Sequence, residues 1–196
     1  HIIKTGASFQ YDAVKENYNK VAYQRNEITP GVFGEYSYSH LEKFNVVAGL
    51  RADYHNIYGA FVTPRLHVSY APTDKSAIRA SIGSARRTAN VFAENFALMA
   101  SNRTFSLNGN GDAALPYGGM KQEQAWNMGI NYTQKFRLNY RDGAFSFDYY
   151  YTHFQNQIVV DIEDPTQVRL YNLDGRSFAH SLQAQLDYEI IRKLDV

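Results

Sequence analysis

Pro64–Arg103, PRLHVSYAPTDKSAIRASIGSARRTANVFAENFALMASNR, is the stretch whose reading decides the fold of this chain. Leu66, Val68 and Tyr70 alternate with Arg65, His67 and Ser69, and further on Ile78, Ala80 and Ile82 alternate with Arg79, Ser81 and Gly83. A period of two over this length predicts two strands, each with one apolar and one polar face. Between them, Ala71-Pro72-Thr73-Asp74-Lys75 is turn chemistry, because proline fixes one φ and Asp74 can bond the backbone ahead of it. After Gly83 the alternation stops, and a long polar excursion runs to about Lys121. Within it, Val91–Met99 suits one or two helical turns with Asn90 as N-cap, and Leu107–Asp112 is irregular and glycine-rich. A loop of this length signals either function or disorder.

The flanking sequence repeats the pattern. Ile3, Thr5, Ala7, Phe9 and Tyr11 form one face of an opening strand, followed by a polar connection from about Ala13 to Glu27. A second strand is expected over Thr29–His40, and Leu41-Glu42-Lys43 is a short reversal. The third strand alternates most regularly: Phe44, Val46, Ala48, Leu50, Ala52 and Tyr54 oppose Asn45, Val47, Gly49, Arg51, Asp53 and His55. Aromatics at its two ends and aliphatics in its centre match a strand that crosses an outer membrane between two aromatic girdles. Downstream, strands are expected over Gln122–Leu138, around Phe145–Tyr151 and around Ser181–Glu189. Arg141-Asp142-Gly143 is expected as a hairpin turn, with Gly143 taking positive φ. Gln157–Arg176 reads as another polar loop, with β-structure around Ile158–Ile162.

Short connections at Leu41–Lys43, Ala71–Lys75 and Asn139–Gly143 all fall on one end of an up-and-down sheet, and the long ones on the other. Outer-membrane barrels pair short periplasmic turns with longer extracellular loops in this way. The polar face carries Lys4, Arg51, Asp53, Arg79, Asp148, Asp187 and Glu189, which suits a wet lumen or a surface and not a sandwich core. The chain has 196 residues, 16 Tyr, 12 Phe, no cysteine and a net charge of +1. Disulfides and thiolate metal sites are therefore excluded, and the lack of a basic block argues against nucleic acid as a partner. No apolar run approaches the ~18 residues of a membrane helix, but a transmembrane strand needs only ~9–11. Both ends read as cuts, so the chain is expected to be a fragment.

Pro64–Arg103 resembles the middle of the barrel of TonB-dependent outer-membrane receptors. The similarity is carried by Pro64, Arg65, Leu66, His67, Tyr70 and Pro72, then Arg79, Ala80, Ser81, Gly83, Arg86, Arg87, Asn90, Ala93, Glu94 and Asn95, then Leu98, Ser101, Asn102 and Arg103. It continues at Glu123, Trp126, Asn127 and Gly129, and from Phe147 through Tyr150, Phe154, Asn156, Gln157, Ile158 and Val159 to Asp161. The resemblance implies an all-β fold, an antiparallel up-and-down transmembrane β-barrel. About eight strands of it would lie in this chain, out of about 22 in a barrel filled by a plug. It implies residues 1–196 as part of a single barrel domain, with the plug and the C-terminal strands outside this stretch. It further implies the outer membrane of a Gram-negative bacterium as location and outer-membrane lipid as surroundings. A small scarce nutrient, such as an iron–siderophore complex or cobalamin, would be bound outside and imported with energy from the TonB complex acting through an N-terminal region. No enzyme activity and no cofactor are implied. Two other readings stay open: a different outer-membrane barrel, such as a porin or translocator, and a soluble β-sandwich binding module.

Arg86, Arg87, Asn90, Glu94 and Arg103 form a polar cluster at the long-connection end and are the candidate ligand-binding residues, since arginine forks suit carboxylate or phosphate groups. The plainer account has them pair with one another and hold the loop base to the barrel wall. Phe44, Val46, Leu50, Tyr54, Trp126, Tyr132, Phe145, Phe147 and Tyr149 are the expected lipid-facing residues. The aromatic stripes could stack sugars or bases, but strict alternation fits lipid contact more simply. The six histidines are dispersed without metal-ligand spacing and are expected to be solvated strand residues. No triad or catalytic carboxylate pair is legible, and Asn108–Asp112 lacks the bidentate glutamate of a calcium loop.

Overall fold

The computed structural model describes residues 1–41, 43–112, 114–191 and 194–195. The sheet contains β1 (Ile2–Tyr18), β2 (Val21–His40), β3 (Phe44–His55), β4 (Gly59–Thr73) and β5 (Ser76–Arg87). Next in the chain come a helical turn α1 (Val91–Glu94), a 3-10 turn (Phe96–Ala100) and a short strand β6 (Thr104–Asn108). The chain returns as β7 (Glu123–Leu138) and β8 (Arg141–Asn156), leaves again as β9 (Ile158–Asp161) and β10 (Gln167–Asn172), and ends with β11 (Ser177–Ile191) and β12 (Leu194–Asp195). Every pairing in the main sheet is antiparallel, in the order β1-β2-β3-β4-β5-β7-β8-β11-β12, with the eight long strands that the alternation predicts and a two-residue ninth. This is an up-and-down segment of a β-barrel.

Register shows which residues share a face, because directly paired residues point the same way. Tyr38 pairs Val46, Val46 pairs Val68, Val68 pairs Ala80, Ala80 pairs Ile130, Ile130 pairs Tyr149, and Tyr149 pairs Leu182. One apolar face therefore runs unbroken across the sheet. All nine expected lipid-facing residues lie on it. Tyr38, Phe44, Tyr70 and Phe145 mark its short-turn end, Tyr54 and Trp126 its long-connection end, and aliphatics fill the middle.

The opposite face carries polar ladders that cross strands. Arg51 Nη2 donates to Ser8 Oγ at 2.7 Å and its Nε to Asp53 Oδ2 at 2.8 Å. Arg79 donates to Asn131 at 2.9 Å, and Asn131 to Asp148 at 2.8 Å. Lys4 and Arg65 both reach Glu35.

Three expectations need correction. Ala13–Glu27 is no loop: β1 and β2 stay paired to Tyr18 and Val21. The reversal there is Asn19-Lys20, with φ of 49° and 65°, two consecutive positive values as in a type I′ hairpin. The second hairpin turn is likewise Asn139-Tyr140, with φ of 50° and 63°, and Arg141, Asp142 and Gly143 already belong to β8. Gly143 serves a different purpose: the ring of its partner Phe136 covers it, and an added Cβ would meet Phe136 Cζ at 2.5 Å. At the Pro64 hairpin the strands run on to Thr73 and Ser76, and the Lys75 amide bonds Thr73 Oγ1 rather than Asp74. Glu42 of the Leu41–Lys43 reversal lies outside the described residues.

The hydrophobic core is not in the sheet. Ala89, Val91, Phe92, Tyr117, Met120, Val168 and Leu170 are buried together at the long-connection end, with Tyr18 and Tyr23 from the β1–β2 hairpin packed on them. β10 joins the two long connections, pairing parallel to β6 and antiparallel to β9. A sheet with one apolar face outward and one polar face inward has nothing to bury between layers, so the apolar residues of the connections gather by themselves.

Candidate functional site

Two connections, the β1–β2 hairpin and the rims of β3, β5 and β7 converge at this end. At its centre lies Arg25, whose side chain is only 8 % exposed. The β2 alternation sends Tyr23, Arg25 and Glu27 inward together. Arg25 Nε donates to Glu27 Oε1 at 2.5 Å and Nη1 to the Tyr117 hydroxyl at 2.5 Å, while Nη2 donates to Asn90 Oδ1. The Tyr117 hydroxyl in turn donates to Glu16, which lies 3.5 Å from Arg25. A buried guanidinium needs its donors filled, and here carboxylate, phenol and amide fill them.

His55 is buried too, at 3 % exposure, which corrects the expectation of a solvated histidine. Its Nδ1 accepts the Ile57 amide at 3.2 Å, and its Nε2 stands 3.3 Å from Glu27 Oε2. With Nδ1 accepting, the proton sits on Nε2 and points at Glu27. Burial, then the hydrogen bond to Glu16, raises the Tyr117 hydroxyl well above the usual tyrosine range. Burial and the nearby Glu27 charge push Tyr58 up to about 12.

The candidate ligand residues divide three ways. Arg87, Asn90 and Glu94 come together: Arg87 bonds Glu123 at 2.6 Å and Glu94 at 3.0 Å, and Glu94 Oε1 accepts the Asn90 amide at 2.9 Å. Asn90 does not cap α1 with its side chain, because Arg25 occupies it. Arg86 lies with its guanidinium 5.0 Å over the Phe61 ring. Arg103 is set apart, donating to the Pro165 carbonyl at 3.1 Å. This arrangement accords with the plainer account for Arg87, Asn90 and Glu94, which tie the loop base to β7.

Two clefts open beside the network. One of about 660 Å³ is charged, with Asp12, Arg25, Glu27, Arg51 and Asp53 among its walls. The other, about 680 Å³, lies between the rim and the loop strands and is walled mainly by amides, among them Asn108, Asn110, Gln122, Gln124 and Asn172. Arg86 and Gln122 line both. Sequence reading missed Arg25, Glu16, Glu27 and Tyr117, a network closed by pairs as distant as Arg25–Asn90, 65 residues apart, and Glu16–Tyr117, 101 apart, and it missed the amides, which carry no motif. Among the described residues no group of three or more His, Asp or Glu could hold a metal ion. Among the described residues no helix is long and apolar enough to cross a membrane, which says nothing of strands.

The family profile described as TonB dependent receptor-like, beta-barrel, matches residues 3–190. No curated protein sequence matches. The siderophore receptor PirA from Pseudomonas aeruginosa superposes with a TM-score of 0.67 at 15 % identity, over 98 % of this chain and 34 % of that one. The hemophore receptor HasR of Serratia marcescens, solved with its hemophore HasA and heme, gives 0.61 at 11 % identity, over 95 % and 40 %. A variant of the ferric enterobactin receptor PfeA from P. aeruginosa gives 0.59 at 16 % identity, over 88 % and 26 %. The chain thus spans between about a quarter and two fifths of these receptors' lengths. At such identities the superpositions speak for the fold, and the profile match over nearly the whole chain shows the family: the chain belongs to the TonB-dependent receptors, as a segment of their β-barrel domain.

Proposed function

We propose that this chain is part of an outer-membrane receptor of a Gram-negative bacterium, one that binds a scarce nutrient at its long-connection end and imports it with TonB-coupled energy. The observation that carries the reading is the division of the sheet: a continuous apolar face outward, a polar face inward, short turns at one end, and at the other two folded connections with the prolonged β1–β2 hairpin packed on them. Lipid would lie against the Phe44–Tyr54 face, with residues 1–196 a single segment of the barrel domain. The nutrient would enter past the connections, where the two clefts open. An iron–siderophore complex or cobalamin is the expected class; that PirA is named a siderophore receptor and PfeA a ferric enterobactin receptor supports the first of these.

A porin or translocator would share the outer face, but the receptor profile that matches residues 3–190 weighs against both. The test is uptake by cells carrying the full-length gene, with and without functional TonB. Accumulation of a ferric chelate or of cobalamin that is lost when TonB is inactivated supports the proposal. Equal accumulation in both strains would replace it with a passive pore.

A further inference from the structure

His55 is a buried titratable group to which the receptor reading gives no part. It closes β3, pairs with Gly59 of β4, and the chain reverses between them through Asn56, Ile57 and Tyr58. Asn56 pins this reversal to β2: its amide donates to the Ile28 carbonyl at 3.1 Å, its Oδ1 accepts the Ile28 amide at 2.9 Å, and its Nδ2 donates to the Asn26 carbonyl at 2.9 Å. His55 holds the rest of the tip. Its Nδ1 accepts the Ile57 amide at 3.2 Å, and its ring centre lies 4.9 Å from that of Tyr58. Tyr58 then reaches the loop core, its hydroxyl donating at 3.4 Å to the carbonyl of the fully buried Met120.

This arrangement requires a neutral imidazole. A neutral ring has one donor and one acceptor, and here the donor faces Glu27 and the acceptor faces Ile57. An imidazolium has two donors and no acceptor. On taking a second proton, His55 keeps Glu27 but sets one N–H against another at Ile57. The amide must then withdraw, because it has lost its acceptor and meets a positive charge. The bond is therefore present at high pH and lost as pH falls through the point where the ring takes its second proton.

The proton has a path and a counter-charge. His55 lines the charged cleft of about 660 Å³, together with Arg25 and Glu27 of β2, Arg51 and Asp53 of its own strand, Asp12 of β1, and Arg86 and Arg87 of β5. Arg25 is bonded to Glu27, Arg51 to Asp53, and Arg87 to Glu94 and Glu123, while Arg86 lies over the Phe61 ring. Asp12 stands opposite Glu27 in the β1–β2 register. Three of the four cations around His55 are thus already paired with carboxylates. Histidine is the side chain that changes charge between about pH 5 and 8. We propose that His55 is an acid-sensitive latch, whose second proton expels the Ile57 amide and frees the Ile57–Tyr58 tip from the core of the first long connection.

The test is hydrogen exchange of the full-length receptor in detergent at about pH 7.5 and about pH 5.0, with labelling times scaled for the intrinsic effect of pH on amide exchange. In the parent, protection at Ile57 and Tyr58 is expected to fall about ten-fold in acid, as for the loss of one hydrogen bond, while Phe44–Tyr54 is unchanged. In His55→Gln the new side chain can accept from Ile57 and donate to Glu27 at either pH, so protection should not move with pH. Asp12, Glu27 and Asp53 are still present in that variant. An equal loss there would assign the effect to a carboxylate and overturn the inference, as would unchanged protection in the parent. His55→Asn, also neutral at both pH values, serves if His55→Gln misfolds: the change between the two pH values is read, not the level, and it too should vanish.

Discussion

Asn90 stands where a helix N-cap should be, yet its side-chain oxygen accepts a hydrogen bond from Arg25, 65 residues earlier in the chain. That bond fastens the first long connection to the β1–β2 hairpin. Around it Glu16, Glu27 and Tyr117 complete the guanidinium's partners. Removing the cation leaves two carboxylates facing each other in a nearly dry place. Breaking one side of such a pair costs about 3–5 kcal/mol. Arg25→Gln should thus loosen the connection while the sheet persists: protease cleavage within residues 88–122 rises sharply, and β-sheet circular dichroism is unchanged. Resistance equal to the parent's would mean that the network does not hold the connection.

The two long connections should open as one unit. Leu170 is fully buried where β10 meets β6 and β9. Leu170→Ala removes a side chain from a core too small to refill the space, a loss of about 2–5 kcal/mol. Hydrogen exchange is expected to accelerate together in Thr104–Asn108 and in Ile158–Asp161, although only one connection carries the change. Acceleration confined to the second connection would show that the parallel pairing does not couple them.

Glycine tolerance should differ sharply by position on the inner and outer faces of the wall. A Cβ on Gly129 would lie 2.6 Å from Cε1 of its cross-strand partner Tyr150, whereas one on Gly34 meets nothing within 4 Å. Overpacking of this kind costs about 1–3 kcal/mol. Gly129→Val should lower the urea midpoint of the folded receptor, and Gly34→Ala should leave it nearly unmoved. Equal midpoints would contradict the ring-over-glycine packing.

Tyrosine titration gives a check that needs no ligand. Tyr58 is pushed up to about 12 and Tyr117 higher than the usual range. An unfolded tyrosine ionises near about 10, so each raised group favours the folded state with its full contribution below about that pH. The contribution is lost as pH climbs through the folded value. Tyrosinate absorbance of the folded receptor is expected to show a late phase at and above pH 12, reduced in Tyr58→Phe and in Tyr117→Phe. A titration complete by about pH 11 would contradict their burial.

What could be read in the sequence follows from where the chain meets two different solvents. Between Phe44 and Tyr54 one face meets apolar and the other polar surroundings, so the alternation is strict and the strand is legible. Beyond Ala13 the β1–β2 hairpin carries polar residues on both faces, and the strand continues while its pattern vanishes. Asn139-Tyr140 was hidden by the stronger glycine signal at Gly143, which answers to the Phe136 ring rather than to a turn. The parallel pairing of Thr104–Asn108 with Gln167–Tyr171 leaves no local trace, because each partner is five residues long and far from the other. Arg86, Arg87, Asn90 and Glu94 were legible as a cluster, but their partners Arg25, Phe61 and Glu123 depend on the strand order and on the packing of the connection against the β1–β2 hairpin.

The most direct test of the central claim is the environment of two adjacent residues in β3. Leu50 is on the apolar face, level with Pro64, and Arg51 is on the polar face, bonded to Ser8. The chain has no cysteine, so Leu50→Cys and Arg51→Cys can each carry one spin label in the full-length receptor, with any cysteine elsewhere replaced, reconstituted in lipid. Collision with dissolved oxygen should dominate at position 50 and collision with a water-soluble nickel chelate at position 51, alternating along Phe44–Tyr54. Nickel access at position 50 equal to that at position 51 would contradict a lipid-facing wall.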